Sequence, residues 1–164
     1  MTIATSQQSS LKSVWTIPSI MEGLEECYPL WDIYSPKCEP FWAVSSKWKG
    51  CRTVYDACRG VTLASEEGTP AVVFVPNRHL ANAIKVASKV KLQSPLILVV
   101  EDHPSLAPQL FPRESAKRAG LCVVEPCTPS EVAYCAAVAA KLSASTLKPV
   151  VLITHHGLLG DQQL

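Results

Sequence analysis

The sequence predicts a single α/β domain, a mostly parallel sheet with helices on both faces. Three observations carry that expectation. The 164 residues lie within the size of one compact domain with a substantial core. Apolar runs without polar alternation, at 71–75 (AVVFV), 96–100 (LILVV), 121–125 (LCVVE) and 150–154 (VVLIT), read as strands buried on both faces. Segments of helical spacing separate those runs, and strands linked by crossover helices pair in parallel.

Each element follows from local pattern. Residues 1–13 (MTIATSQQSSLKS) are rich in Ser, Thr and Gln, so a flexible tail is expected there and the domain is taken as 14–164. Ile17, Ile20, Met21, Leu24 and Cys27 recur at three and four residues, which predicts a helix over 17–30 with Pro18 in its first turn. Residues 31–50 hold Trp31, Trp42 and Trp48 and fit neither helical nor strand period, apart from a short strand expected at Phe41–Ser45. Those tryptophans suit either packing over the sheet or an interface.

From Cys51 the pattern is regular. A helix over 52–66 ends at Gly68, and strand 71–75 follows. Helix 79–90, strand 96–100, helix 113–118, strand 121–125, helix 129–142 and strand 150–154 complete the alternation. Thr128, Pro129 and Glu131 form a helix start, with a cap, a first-turn proline and a capping-box glutamate.

Composition narrows the function classes. With 15 Lys+Arg, 14 Asp+Glu and a net charge of +1, the chain has no broad field to attract phosphate backbones or anionic lipid, so neither nucleic acid nor membrane is an expected partner. Its longest apolar runs are far shorter than the ~20 residues of a membrane helix, and the polar first residues are unlike a signal peptide. A cytoplasmic protein is therefore expected. The seven cysteines (Cys27, Cys38, Cys51, Cys58, Cys122, Cys127, Cys135) are odd in number and lack CxxC spacing. They read as small buried thiols rather than a disulfide framework or a metal centre.

In a parallel sheet, ligands sit beyond the carboxyl ends of the strands, which directs attention to loops 76–82, 101–112, 126–130 and 155–160. No GxGxxG, GxxxxGK[ST] or GxSxG occurs in them. His103, His155 and His156 follow strands and could meet at one sheet edge, with Glu101 or Asp102 as base or cation ligand. Arg113 and Arg118 suit a carboxylate or phosphate, or plain solvation.

The stretch Gly60–Gly157 resembles the aminopyrimidine-binding (PYR) domain of thiamine diphosphate enzymes, most closely that of indolepyruvate, pyruvate and other 2-oxoacid:ferredoxin oxidoreductases. The resemblance rests on five segments. CRTVYDACRGVTLASEEGTPAVVFV is similar to the family's helix and Gly-containing turn before a strand. NRHLANAIKVASKVKLQSPLILVV resembles a segment in which an Asn, here Asn82, opens a helix. EDHPSLAPQLFPRESAKRAG looks like an acidic-acidic-Pro loop, LCVVEPCTPSEVAYCAAVAAKLS like a strand, turn and helix, and KPVVLITHHG like a closing strand.

The resemblance implies a thiamine diphosphate-binding fold of PYR type. It also implies a site shared with a diphosphate-binding (PP-type) subunit or a homodimer partner, which supplies magnesium. Its substrates are 2-oxo acids, and the cofactor is the electron sink. Cofactor contacts map to Asn82, Asp56, Cys51, His79 and Asn77, and the catalytic candidates are Asp56, Cys51 and His103. The sequence also departs from the family. The helix-borne Glu of the family falls, nine residues before Gly60, on Cys51; an ordinary thiol, with a pKa of about 8.5, is no strong partner for a ring nitrogen. Asp56, Glu39 and Glu26 do not match that position. The turn Pro76-Asn77-Arg78-His79 has no glycine, and no GDG motif followed by Asn occurs.

Three functions are therefore expected in turn. The first is a PYR-type subunit or fragment of a 2-oxoacid-converting enzyme. The second is a non-catalytic PYR-like assembly module. The third is a small α/β enzyme or metal-binding protein using the His103/His155/His156 edge.

Overall fold

The computed structural model describes residues 18–36, 48–102 and 112–155. It contains one sheet of six parallel strands in the order β2-β1-β3-β4-β6-β5. These are β1 (Asp32–Pro36), β2 (Trp48–Cys51), β3 (Ala71–Val75), β4 (Leu96–Asp102), β5 (Cys122–Val124) and β6 (Val150–His155). Helix α1 covers 18–27, followed by α2 (Val54–Glu66), α3 (Leu80–Ser88), α4 (Pro112–Arg118) and α5 (Val132–Thr146).

Alternation within each strand feeds two cores. Ala71, Val73 and Val75 of β3, with Leu96, Leu98 and Val100 of β4, pack against α2, α3 and Ala116 of α4. Val72 and Phe74, with Ile97 and Val99, face α1 and α5. A strand buried on both sides needs no polar alternation, so the four apolar runs are where the sequence predicts strands.

The main departure lies in 31–50, where neither period is visible. Two strands sit there, β1 and β2, paired with each other through Ile33↔Trp48 to Pro36↔Cys51. Asp32, Tyr34 and Lys49 break their apolar pattern. The Lys49 ammonium donates to Asp32 Oδ2 at 3.2 Å and to the Tyr34 hydroxyl at 3.4 Å, and lies 5.2 Å from the Tyr34 ring centre. Polar residues thus fill positions where a buried strand would carry Val or Ile. The strand expected at Phe41–Ser45 and the tail at 1–13 lie outside the described residues, as does Trp42. Trp31 is buried; its indole N–H donates to Leu24 O at 2.9 Å and its ring meets Tyr28 edge-on. It is a core residue of the α1 face.

Helix boundaries shift by a few residues. Gly68 (φ +88°) closes α2. The expected helix 79–90 is a 3-10 turn, Asn77–His79, leading into α3, and the expected helix 129–142 is another, Pro129–Glu131, leading into α5. The Thr128–Glu131 capping box forms as expected: Glu131 Oε2 accepts from the Cys127 and Thr128 amides at 2.9 and 3.2 Å. Ser143 ties α5 to the sheet, accepting from Leu96 N at 2.9 Å and donating to Lys148 O at 2.8 Å. Ser65 and Ser94 exchange hydroxyl-to-carbonyl bonds that hold the end of α2 beside the start of β4.

Candidate functional site

In a parallel sheet every helix that follows a strand starts at the same edge. The first turns of α2 and α3 therefore meet beyond the carboxyl ends of β2 and β3, the edge at which ligands bind such sheets. A groove of about 550 Å³ opens between them. Thr53, Val54, Tyr55 and Cys58 line it from α2, and His79, Asn82, Ala83, Lys85 and Val86 from α3.

The groove walls follow from helical spacing. Val54 and Cys58 lie one turn apart on α2, as do Asn82 and Val86 on α3. Thr53 is the N-cap of α2, and its hydroxyl accepts from the Asp56 amide at 3.1 Å. His79 occupies the N-cap position of α3 without a side-chain cap bond. Cys58 has no exposed surface; burial, with Cys51 nearby adding to it, pushes its thiol up to about 12. It lines the groove as a neutral small side chain. Tyr55 is 58% exposed at the mouth, with the Arg59 guanidinium 5.9 Å from its ring centre.

Of the residues singled out from sequence, the structure brings His79 and Asn82 together in this groove. Asn82 is the third residue of α3 and does not cap it, since His79 holds the cap position. Cys51, which the resemblance matches to a helix-borne Glu, is the half-buried last residue of β2, and α2 begins three residues later. Asp56 is exposed in the first turn of α2 and does not line the groove. Asn77, half-buried, opens the turn after β3, also outside the lining. Thr53, Cys58 and Lys85 were not singled out; their spacing on two adjacent helices is the signal, and only the pairing of those helices gives it meaning.

Further along the same carboxyl edge, β4 and β6 place Glu101 opposite Thr154 and Asp102 opposite His155. His103 and His156 lie outside the described residues. Among the described residues no group of three or more His, Cys, Asp or Glu side chains is placed to hold a metal ion. Arg113 on α4 makes a two-pronged ion pair with Glu125 just after β5, Nε to Oε2 at 2.7 Å and a second contact from its terminal nitrogen to Oε1. Arg113 thus engages a carboxylate of its own chain. Burial pushes the Tyr34 hydroxyl up against the opposing pull of Lys49. Lys49 is also raised: burial lowers it, but its bonds to Asp32 and Tyr34 outweigh that cost. This trio lies on the β1–β2 side of the sheet. Ser35, beside it on β1, is fully buried, and its hydroxyl has no hydrogen-bond partner among the described residues.

Compared by sequence, the chain matches no family model and no curated protein. Compared by structure, it shares its fold with part of a larger enzyme chain. A 2-oxoglutarate:ferredoxin oxidoreductase from Magnetococcus marinus, solved with 2-oxoglutarate, coenzyme A and succinyl-CoA bound, superposes with a TM-score of 0.62 at 13% identity. The match covers 86% of this chain and 29% of that one, so the chain corresponds to under a third of the larger enzyme. No helix among the described residues is long and apolar enough to cross a membrane.

Proposed function

We propose that this chain is the PYR-type module of a thiamine diphosphate-dependent assembly that converts 2-oxo acids, completed by a partner supplying the diphosphate and magnesium site. The observation that carries the reading is the groove at the carboxyl edge of an oxidoreductase-type sheet, where His79 and Asn82 meet. In this reading they contact what the shared site holds, with Asn77 and Cys51 beside them at strand ends. The oxidoreductase-type fold supports a module that works inside a larger assembly.

The described residues do not fit activation of the thiamine ring. That chemistry needs a carboxylate against a ring nitrogen, yet among the described residues no carboxylate lines the groove. Asp56 points to solvent with its amide used by the Thr53 cap, and Cys51, which the resemblance sets against the family's Glu, is a thiol on a strand. This specific absence from the lining favours a second reading, in which the chain builds and closes the assembly without supplying ring chemistry.

The experiment is a titration of thiamine diphosphate with magnesium, by calorimetry, into the chain alone and into its complex with a co-purifying partner. Binding in the complex alone supports the shared site. A stable complex without cofactor binding leaves the assembly module, and no complex with any diphosphate-binding subunit overturns both. Asp56→Ala is expected to leave cofactor binding and turnover of the complex unchanged; a loss of either would return Asp56 to the site.

A further inference from the structure

We infer that the groove between α2 and α3 binds a small anion with an apolar body, an aryl- or alkyl-substituted carboxylate. The inference names the ligand class of the groove used above and rests on that reading only in taking the same edge of the sheet. Its floor is apolar, formed by Val54, Cys58, Ala83 and Val86. A volume of about 550 Å³ falls in the range of small-molecule sites, which pair such a floor with a few polar groups.

The polar groups favour negative charge. Lys85, Asn82 and Thr53 all offer donors, and no carboxylate of the described residues is in the lining. Two helices, of 13 and 9 residues, begin at the groove, and their N-terminal dipoles add positive potential. Arg59, held over the Tyr55 ring, stands at the mouth. The opposing charge is Asp56, exposed in the first turn of α2 and outside the lining. Cys58 stays neutral, because burial keeps its proton on. A carboxylate end meeting Lys85 and Asn82, with an aromatic or branched body on Val54, Ala83 and Val86, satisfies both halves of the site. A cationic thiazolium ring satisfies only the apolar half.

The test uses the full chain without a partner, followed by calorimetry and by amide shifts of α2 and α3 in nitrogen-15 NMR. Three probes are titrated: 3-phenylpropionate, the uncharged 3-phenylpropionamide, and thiamine. The acid is expected to bind about fivefold or more tighter than the amide, as one exposed charge-assisted contact allows, and thiamine to bind weakest. Lys85→Gln, an exposed substitution, is expected to remove the preference for the acid while leaving the amide unchanged. Val86→Phe is expected to abolish both by filling the floor. Thermal unfolding of each variant keeps misfolding apart from lost binding. Equal binding of acid and amide, a preference that survives Lys85→Gln, or no binding of either overturns the inference. Because no partner or cofactor is present, none of these results bears on the complex titration.

Discussion

Cys58 shows how a single thiol acquires a role from its surroundings. It has no exposed surface and its thiol is pushed up to about 12, whereas Cys122 and Cys127 are exposed. Iodoacetamide at pH 8, followed by peptide mass mapping, should therefore label Cys122 and Cys127 in the folded chain and reach Cys58 only after unfolding. The same shift links stability to pH. The folded chain keeps a proton on Cys58 that the unfolded chain releases near its ordinary value of about 9. The contribution is thus complete below about pH 9 and is lost as pH rises toward 12. Urea midpoints should fall between pH 9 and 10.5, with Cys58 contributing at most about 1.4 kcal/mol per pH unit. Lys49 and Tyr34, both raised, act in the same alkaline direction. Cys58→Ala should flatten the slope; an unchanged slope would mean that the thiol is not the titrating group.

At the scale of elements, two glycines are needed for close packing rather than for backbone freedom. A Cβ on Gly60, inside α2, would lie 2.5 Å from Tyr34 Cε1, and one on Gly23, inside α1, would lie 2.0 Å from the Ala133 carbonyl oxygen. Tyr34 is only 8% exposed and has little room to yield, but a ring gives way more readily than backbone. Gly60→Ala should cost about 1–2 kcal/mol and Gly23→Ala about 2–3 kcal/mol, as overpacking does, measured by urea unfolding. The reverse order would place the tighter contact on the wrong helix. Leu147 ends α5 with φ +53°, a conformation that side chains resist. Leu147→Gly should raise stability by roughly 0.5 kcal/mol, because relief of that strain exceeds the entropy glycine brings to the unfolded chain.

For the whole molecule, one sheet supplies both cores: Val73 and Val72 are neighbours in β3 yet belong to opposite faces. Neither layer of helices has a core without the strands. Urea unfolding followed by far-UV circular dichroism and by pulse alkylation of Cys58 should therefore give one coincident transition; a thiol exposed at lower urea than the loss of dichroism would mean that the α2–α3 layer opens by itself.

The sequence by itself determined the layered class of the fold, because strands buried on two faces must be continuously apolar, and such runs stand out at 71–75, 96–100 and 150–154. It also determined the start of α5, since Thr128, Pro129 and Glu131 act on their own backbone. β1 and β2 were illegible, because the pairing of Asp32 and Tyr34 with Lys49 arises only when the two strands lie side by side. Of the nine residues that line the groove, the sequence singled out two, His79 and Asn82. Lys85, Thr53 and Cys58 were decided by tertiary structure alone: which residues share a cavity depends on how two helices pack across a sheet, and local spacing carries no record of the facing helix.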